Sequence, residues 1–179
     1  MKKTETLLFK ISKSNDLSES EYEEILELCA RAFEQDYKLF MDIFHNATHV
    51  QGFYQDLLVT HAAWVTRWLK FGDSPLLKTA YVEAVATDKN YQRRGLATSI
   101  MKKLAHEIRD YDLGALSPGT PELYAELGWQ MWRGPLYIRT HDGLVHTTSD
   151  SVMILKLNKT PGLNLDAPLS AEWRKGKLW

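Results

Sequence analysis

The sequence is poor in cysteine, since its 179 residues include only Cys29. A single thiol excludes an intrachain disulfide framework and any zinc or iron–sulfur cage built from several cysteines. No run of about 18 apolar residues is present, which excludes a membrane-spanning helix. Neither sign of charge is in excess, because 22 Lys and Arg balance 23 Asp and Glu. A nucleic-acid-binding protein, in contrast, is usually basic. We therefore expect a soluble, cytoplasmic protein without nucleic-acid or membrane partners.

The patterning at the start of the chain predicts a strand followed by a helix. Residues 7–11 form a short apolar strand, and Ser18 with Glu21 forms a capping box at the start of the helix. Apolar residues then recur at helical spacing, and Cys29 lies on that face, which favours a small core residue over a reactive thiol. A second, weaker helix is predicted over residues 34–46.

Three strands are predicted next, over residues 49–54, 56–69 and 76–87. The turns between them are short, which indicates an antiparallel meander. A helix over residues 95–111 and a strand over 113–116 complete a strand–helix–strand unit. That order favours a parallel pair with a right-handed crossover.

The second half of the chain begins with a further short helix. Its start is marked by Thr-Pro-Glu at residues 120–122, and Gly128 ends it. Residues 158–179 are predicted to be an irregular tail, and we expect it to dock because it carries two tryptophans. The strand segments predicted between helix and tail are 129–132, 136–140 and 152–157.

Two histidines have the spacing of metal ligands on a helix. His45 and His49 are four residues apart, but no third ligand accompanies them in the sequence. We therefore predict that the protein holds no metal.

The sharpest local motif is Gln92-Arg93-Arg94-Gly95-Leu96-Ala97, between a strand and a long helix. Backbone amides at such a helix start, with the positive end of the helix dipole behind them, suit a pyrophosphate. Neither the three glycines of a dinucleotide-binding motif nor the Gly-Lys-Ser/Thr of a Walker loop is present. An ordinary loop with solvated arginines remains the alternative.

The motif in its context resembles motif A of the GNAT superfamily of N-acetyltransferases. Residues 124–129, Tyr-Ala-Glu-Leu-Gly-Trp, resemble a second segment of that superfamily. A narrower resemblance is to aminoglycoside 2′-N-acetyltransferases, whose chains also end in tryptophan. It is carried by an ordered set of segments: residues 81–86, 113–117, 123–124, 128–129, 132–135 and the terminal Trp173-Arg174, Gly176 and Trp179.

The resemblance implies an α/β GNAT fold over residues 1–157, with a mixed, mostly antiparallel sheet and flanking helices. It also implies that the tail over residues 158–179 docks near the acceptor site. The implied activity is acetylation of the 2′-amine of aminoglycosides, polycationic small molecules, with acetyl-CoA as co-substrate. A homodimer is compatible with this family.

The resemblance makes Glu83 a general base and Tyr124 a general acid toward the CoA sulfur. For Glu83 the alternative is a salt-bridged core residue, and for Tyr124 a ring packed against the sheet. Alternation places Glu83 on the strand face of Tyr81 and Val85 unless a bulge redirects it. Acetyl-CoA would be held by the backbone of Val85, Ala86 and Thr87 and by Gln92, Arg93, Arg94, Gly95, Leu96 and Ala97.

The acceptor pocket implied by the resemblance is acidic, because it must receive ammonium groups. One departure concerns Lys177, which stands where the family commonly has an acid. The open alternatives are an acetyltransferase for another cationic amine or amino sugar, and a non-catalytic acyl-CoA sensor. The implied acceptor residues are Asp36, Glu83, Ala84, Ser117, Asp150 and Trp179, the last through its ring and carboxylate.

Overall fold

A computed structural model describes residues 6–36 and 38–179, so that the first five residues of the predicted domain and Tyr37 lie outside the described residues. The strands are β1 (Leu7–Lys13), β2 (Thr48–Tyr54), β3 (Leu57–Phe71), β4 (Leu77–Thr87), β5 (Leu113–Leu116), β6 (Gln130–Met131), β7 (Leu136–Thr140), β8 (Gly143–Thr147), β9 (Met153–Lys156) and β10 (Leu169–Glu172). The helices are α1 (Glu19–Phe33), α2 (Lys38–Ile43), α3 (Leu96–Glu107) and α4 (Pro121–Glu126).

The chain divides into two compact units. The first holds the described residues as far as Val65 together with Glu83–Leu104, and the second holds Thr66–Val82 and Ala105–Trp179. Strands β3 and β4 and helix α3 therefore contribute residues to both units. Within the described residues, no helix is both long enough and apolar enough to cross a membrane.

The first unit is built on an antiparallel meander. β1 pairs with β2, from Leu7 opposite Tyr54 to Lys13 opposite Thr48. β2 in turn pairs with β3 across a tight turn at Gln55, and this confirms the antiparallel arrangement predicted from the short connection.

Helix α1 packs its apolar face onto this meander. The predicted capping box is confirmed, since the Glu21 amide donates to the Ser18 hydroxyl and the Ser18 amide donates to the Glu21 carboxylate. Cys29 is buried, as predicted. The core of this unit comprises Ile25, Leu26, Leu28, Cys29, Phe40, Phe44, Ala47, Leu58, Ala63 and Ala86.

The second predicted helix is shorter than expected. Left-handed backbone at Glu34 ends α1, and left-handed backbone at Asn46 lies between α2 and β2, so α2 is confined to Lys38–Ile43. His49 lies in β2, which confirms the strand predicted over residues 49–54, so His45 and His49 do not share a helix face. Among the described residues, no group of three metal-ligand side chains comes together.

The second unit contains the predicted parallel pair. β4 runs parallel to β5, with Thr79 opposite Leu113 and Val82 opposite Leu116. β5 pairs with β9 in antiparallel register, and β9 pairs with the short strand β6. Helix α3 ends at Glu107, several residues before the predicted end.

The tail packs within the second unit and is irregular as predicted, apart from the strand β10. β10 pairs in parallel with β7 and in antiparallel register with β3, so it lies between these two strands. The tail also passes close to Gly134, where an added Cβ would lie 2.0 Å from the Ala167 carbonyl oxygen. The same oxygen accepts a 2.8 Å hydrogen bond from the Trp132 indole, so the segment is fixed by close packing. β8, a further strand absent from the sequence prediction, forms a hairpin with β7.

Candidate active site

In the first unit, β4 is irregular at the residue after Glu83. Ala84 has a left-handed φ of 49°, which is strained for a residue with a Cβ and breaks the alternation of the strand. Glu83 is 7% exposed, so its carboxylate is held inside the protein. The irregularity is the bulge-like departure that could redirect Glu83 from the face predicted by simple alternation.

Strand β3 holds the backbone on either side of this irregularity. Nδ1 of His61 lies 3.0 Å from the Ala84 carbonyl oxygen. The Thr60 hydroxyl donates to the Ala86 carbonyl at 3.0 Å and lies 3.0 Å from the Thr87 hydroxyl. The segment predicted to bind the acetyl and pantetheine groups is therefore fixed by side chains of the neighbouring strand.

The predicted phosphate loop also belongs to the first unit. It is exposed, and left-handed backbone at Arg93 and Gly95 turns the chain into α3. Gly95 has a left-handed φ of 76°, a conformation that favours glycine. No other part of the chain comes within 4 Å of the position that a Cβ would take, so there is open space beside this residue. Arg94 lies 4.8 Å over the Tyr91 ring, which keeps its charge beside the loop. This geometry suits an anion at the helix N-terminus.

Asp36 is exposed at the start of α2. Its carboxylate accepts a 2.9 Å hydrogen bond from the Lys38 amide, and its carbonyl accepts one from the Leu39 amide. The residue therefore orders the first turn of α2 and presents its negative charge to solvent.

In the second unit, Tyr124 lies on α4 and is 8% exposed. Pro121 begins this helix, and Gly128 with φ 87° follows its end, as predicted from the sequence. The Tyr124 carbonyl accepts from the Trp129 amide, and the two rings meet edge to face at 6.3 Å. Burial raises the pKa of the Tyr124 phenol, so the hydroxyl keeps its proton at neutral pH.

The register of β5 and β9 brings Ser117 and Asp150 to the same end of this strand pair. Leu116, the last residue of β5, is opposite Met153, the first residue of β9. Ser117 follows β5 and Asp150 precedes β9, so both residues lie beyond this end of the pair. Ser117 is half-buried and Asp150 is exposed. Two of the predicted acceptor residues therefore lie near the same end of the strand pair.

Trp179 is fully buried in the second unit, at 0% exposure. Its indole N–H donates to the Thr147 hydroxyl at 2.9 Å. The guanidinium of Arg67 lies 5.8 Å from the Trp179 ring and 4.9 Å from the Tyr81 ring. Arg67 also donates to the carbonyls of Leu178 and Glu172, at 2.6 and 2.7 Å.

The predicted site residues thus divide between the two units. The first unit holds Asp36, Glu83, Ala84 and the whole acetyl-CoA segment, and the second holds Ser117, Tyr124, Asp150 and Trp179. Sequence reasoning missed the buried His61 and Arg67. For Arg67 a signal exists, because Arg67 and Leu69 alternate with exposed Thr66 and Trp68, which marks an inward-facing arginine.

Comparison with known proteins finds matches over most of the chain. A family model described as an acetyltransferase (GNAT) domain matches residues 14–132. An aminoglycoside 2′-N-acetyltransferase from Mycolicibacterium fortuitum is 31% identical over 175 residues, which cover 93% of this chain and 89% of that protein.

Two solved structures show the same fold at low sequence identity. A GNAT family N-acetyltransferase from Escherichia coli, in complex with CoA, is 16% identical with a TM-score of 0.68, over 98% of this chain and 94% of that chain. A conserved protein of unknown function from Enterococcus faecalis V583 is 18% identical with a TM-score of 0.61, over 73% of this chain and 33% of that chain. This chain therefore spans about a third of the length of the second structure.

The matched domain covers more than half of the sequence, and the similarity to the aminoglycoside acetyltransferase extends over nearly all of it. The chain belongs to the GNAT family of acetyltransferases, a class of acyltransferases.

Proposed function

We propose that the protein transfers an acetyl group from acetyl-CoA to the 2′-amino group of aminoglycosides, directly and within a ternary complex. The observation that carries this proposal is the 31% identity to the Mycolicibacterium fortuitum aminoglycoside 2′-N-acetyltransferase over 93% of this chain. A span of that size must include the phosphate loop over residues 92–97, the segment that resembles motif A of the GNAT superfamily.

The loop at the start of α3 fits a CoA pyrophosphate. Residues 92–95 of the loop are exposed, and the open space beside Gly95 lets a ligand approach the backbone closely. The residues proposed to hold acetyl-CoA are Val85, Ala86, Thr87 and Gln92–Ala97. When bound, acetyl-CoA supplies an acetyl thioester, whose carbonyl carbon accepts the amine.

Glu83 is proposed to accept the proton that the acceptor amine loses as the N–C bond forms, directly or through a water molecule. A carboxylate at 7% exposure is costly to bury, which favours a functional residue. Tyr124 is proposed to donate a proton to the CoA sulfur as the C–S bond breaks. Its raised pKa keeps the phenol protonated and so available as a donor at neutral pH.

Direct transfer is favoured over an acetyl-enzyme intermediate. A covalent route needs an activated nucleophile, and the thiolate is the nucleophilic form of cysteine. Cys29 is buried, and burial raises the pKa of its thiol far above neutrality, so the thiol stays protonated and out of reach of a substrate.

The acceptor side of the proposal rests on exposed acidic residues. Asp36 and Asp150 present carboxylates that can attract the ammonium groups of a polycationic sugar, and half-buried Ser117 adds a hydroxyl. A different cationic amine or amino sugar is the second candidate acceptor. It is favoured by the exposed cations Lys175 and Lys177, which lie in the tail and would repel a highly charged drug.

The proposal is tested by measuring thiol release from acetyl-CoA with paired aminoglycosides that carry either a 2′-amine or a 2′-hydroxyl. Turnover with the amine member alone, and a product heavier by one acetyl group at the 2′-nitrogen, is expected. Equal turnover of both members would refute the regiochemistry. CoA binding with no thiol release over a broad panel of amines would instead identify a non-catalytic acyl-CoA sensor.

A further inference from the structure

A chain of buried polar groups crosses the first unit and ends at the Ala84 carbonyl. The Ser14 hydroxyl lies 2.9 Å from Nε2 of His49, and Nδ1 of His49 lies 3.0 Å from Nε2 of His61. Nδ1 of His61 then lies 3.0 Å from the Ala84 carbonyl oxygen. Four groups from four segments of the sequence thus form one continuous series of short contacts.

The two imidazoles lie in apolar surroundings. His49 and His61 are both 0% exposed, and the Phe44 ring meets them edge to face at 4.9 and 5.4 Å. Burial lowers the pKa of His49 to about 4 and that of His61 to about 3, so both are neutral at pH 7. Each neutral ring has one N–H donor and one acceptor nitrogen, so the proton of one ring fixes the direction of the whole series.

The series is bounded by carbonyl acceptors at both ends. At the outer end, the Ser14 hydroxyl lies 2.6 Å from the Phe44 carbonyl and 3.2 Å from the Ala47 carbonyl. Two neutral imidazoles and one hydroxyl supply three protons. The series from the Ala84 carbonyl to the Phe44 carbonyl contains four contacts, so there is one proton too few. One of the four contacts must therefore lack a hydrogen bond.

The outer carbonyls already have donors of their own. The Phe44 carbonyl accepts from the Ala47 amide at 3.1 Å, and the Ala47 carbonyl accepts from the Ser14 amide at 2.9 Å. The Ser14 hydroxyl nevertheless donates to the Phe44 carbonyl, because two oxygen atoms 2.6 Å apart need a hydrogen between them. A carbonyl only accepts, so Nδ1–H of His61 donates to the Ala84 carbonyl, and Nε2 of His61 is left as an acceptor that faces Nδ1 of His49. Cys29, whose sulfur lies 3.7 Å from Nδ1 of His61, remains a weak partner of the same N–H.

The inner end of the series coincides with the strained residue of β4. Ala84 has φ 49°, and a non-glycine residue in this region costs about 1–3 kcal/mol unless its surroundings hold it. The same residue separates Glu83 from Val85, the proposed base and the first amide of the proposed acetyl-binding segment. A donor fixed on its carbonyl therefore sets the directions of both neighbours.

We infer that His61, held beside His49, is a positioning residue for acetyl transfer: its Nδ1–H holds the Ala84 carbonyl and so fixes the directions of the Glu83 carboxylate and the Val85 amide. The inference deepens the proposed function and rests on it. His61 has no part in proton transfer to substrate, because a carbonyl oxygen ends the series.

Two amide substitutions separate the positioning role from simple packing. In His61→Asn the side-chain amide nitrogen can take the place of Nδ1, whereas in His61→Gln it takes the place of Nε2. Both variants replace the imidazole by an amide, so their melting temperatures should fall by similar amounts. We expect kcat to fall roughly tenfold to hundredfold in His61→Gln and to stay within about threefold of wild type in His61→Asn. The KM for acetyl-CoA should change little in either variant.

A spectroscopic measurement tests the geometry without turnover. The ¹⁵N chemical shifts of the wild-type imidazoles at pH 7 should show the proton of His61 on Nδ1. The amide resonances of Glu83 and Val85 should move in His61→Gln and stay near their wild-type positions in His61→Asn. His45→Gln, at an exposed histidine, is the control and should match wild type in both assays.

The outcomes separate this inference from the proposed function. A proton on Nε2 of His61, or equal losses of kcat in the Asn and Gln variants, would overturn the positioning role. Absence of thiol release in the wild-type protein would overturn the proposed function instead. In that case the His61 tautomer and the Val85 amide shift would still decide whether His61 holds the Ala84 backbone.

Discussion

Replacing Arg67 with methionine should destabilise the protein severely. Arg67 is 2% exposed, and its guanidinium donates to two backbone carbonyls in the C-terminal segment, those of Glu172 and Leu178. Methionine keeps most of the side-chain volume, so the substitution removes the charge and the donors and creates only a small cavity. The effect can therefore be attributed to the lost polar interactions.

The magnitude follows from what the guanidinium contacts. A hydrogen bond from a charged donor contributes about 1.5–3 kcal/mol, and a desolvated cation over an aromatic ring about 2 kcal/mol. The ion pair with Glu172 adds little, because its atoms are 3.7 Å apart and that carboxylate is partly exposed. These contributions overlap, so we expect the free energy of unfolding to fall by about 3–5 kcal/mol, close to the contribution of two hydrogen bonds from a charged donor. For a chain of this size the melting temperature would drop by about 10 °C.

The assay is urea unfolding followed by tryptophan fluorescence, with thermal melts in parallel. Arg109→Met, at an exposed arginine, is the matched control and should lie within about 0.5 kcal/mol of wild type. Arg67→Lys should recover only part of the stability, because a single ammonium cannot reproduce the planar fork that reaches both carbonyls. A loss below about 1 kcal/mol in Arg67→Met would refute the reasoning, since it would mean that the buried guanidinium contributes no net stability.

Four further results are expected. Tyr124→Phe should lower kcat by about a hundredfold with little change in the KM for acetyl-CoA, because only the proposed proton donor is lost. Gly95→Ala should cost about 1 kcal/mol of stability through its φ of 76° alone and weaken acetyl-CoA binding measured by calorimetry. Cys29 should react with a thiol reagent only on unfolding, because it is buried and its raised pKa keeps the thiol protonated. His49 and His61 have pKa values lowered from the ordinary 6.5, so the free energy of unfolding should be highest above pH 6.5 and should fall as the pH falls toward 4. The loss should reach up to about 1.4 kcal/mol per pH unit for each histidine.

Each of these expectations has its own contrary outcome. Equal losses in turnover and acetyl-CoA affinity on Tyr124→Phe would indicate packing rather than proton donation. Gly119→Ala is the control for Gly95, since it also has open space but no left-handed backbone, and equal effects at both would remove the conformational argument. Rapid labelling of the native thiol would contradict the burial of Cys29. A flat free energy of unfolding between pH 6.5 and 5, where most carboxylates are still ionised, would contradict the buried neutral histidines.

The elements that could be predicted from sequence are those that carry their own signal. Alternating or continuous apolar residues marked β2, β3 and β4 nearly to their observed ends, and the Ser18–Glu21 capping box marked the start of α1. β8 was not predicted, because Leu144 and Val145 are both exposed and the strand therefore has no buried face to pattern. β10 was not predicted because its extended form comes from pairing with β3 and β7, partners far away in the sequence.

The same distinction applies to the candidate site. The phosphate loop and the α4 segment are contiguous motifs, so the sequence was enough to propose them. The histidine series joins Ser14, His49, His61 and Ala84, which are separated by 12 to 35 residues along the chain and meet only once the strands have paired. Local spacing related His49 only to His45, from which left-handed backbone at Asn46 separates it, and gave no sign of its contacts with Ser14 and His61.

The position of β10 between β3 and β7 has a consequence for biosynthesis. β3, β7 and β8 all leave the ribosome before β10 does, so the β7–β8 hairpin cannot be joined to β3 through β10 until β10 has emerged. Until then, the edges of β3 and β7 that β10 will cover expose unpaired backbone groups, and such edges invite pairing with neighbouring nascent chains. A chain released before β10 has been made would therefore keep two open strand edges.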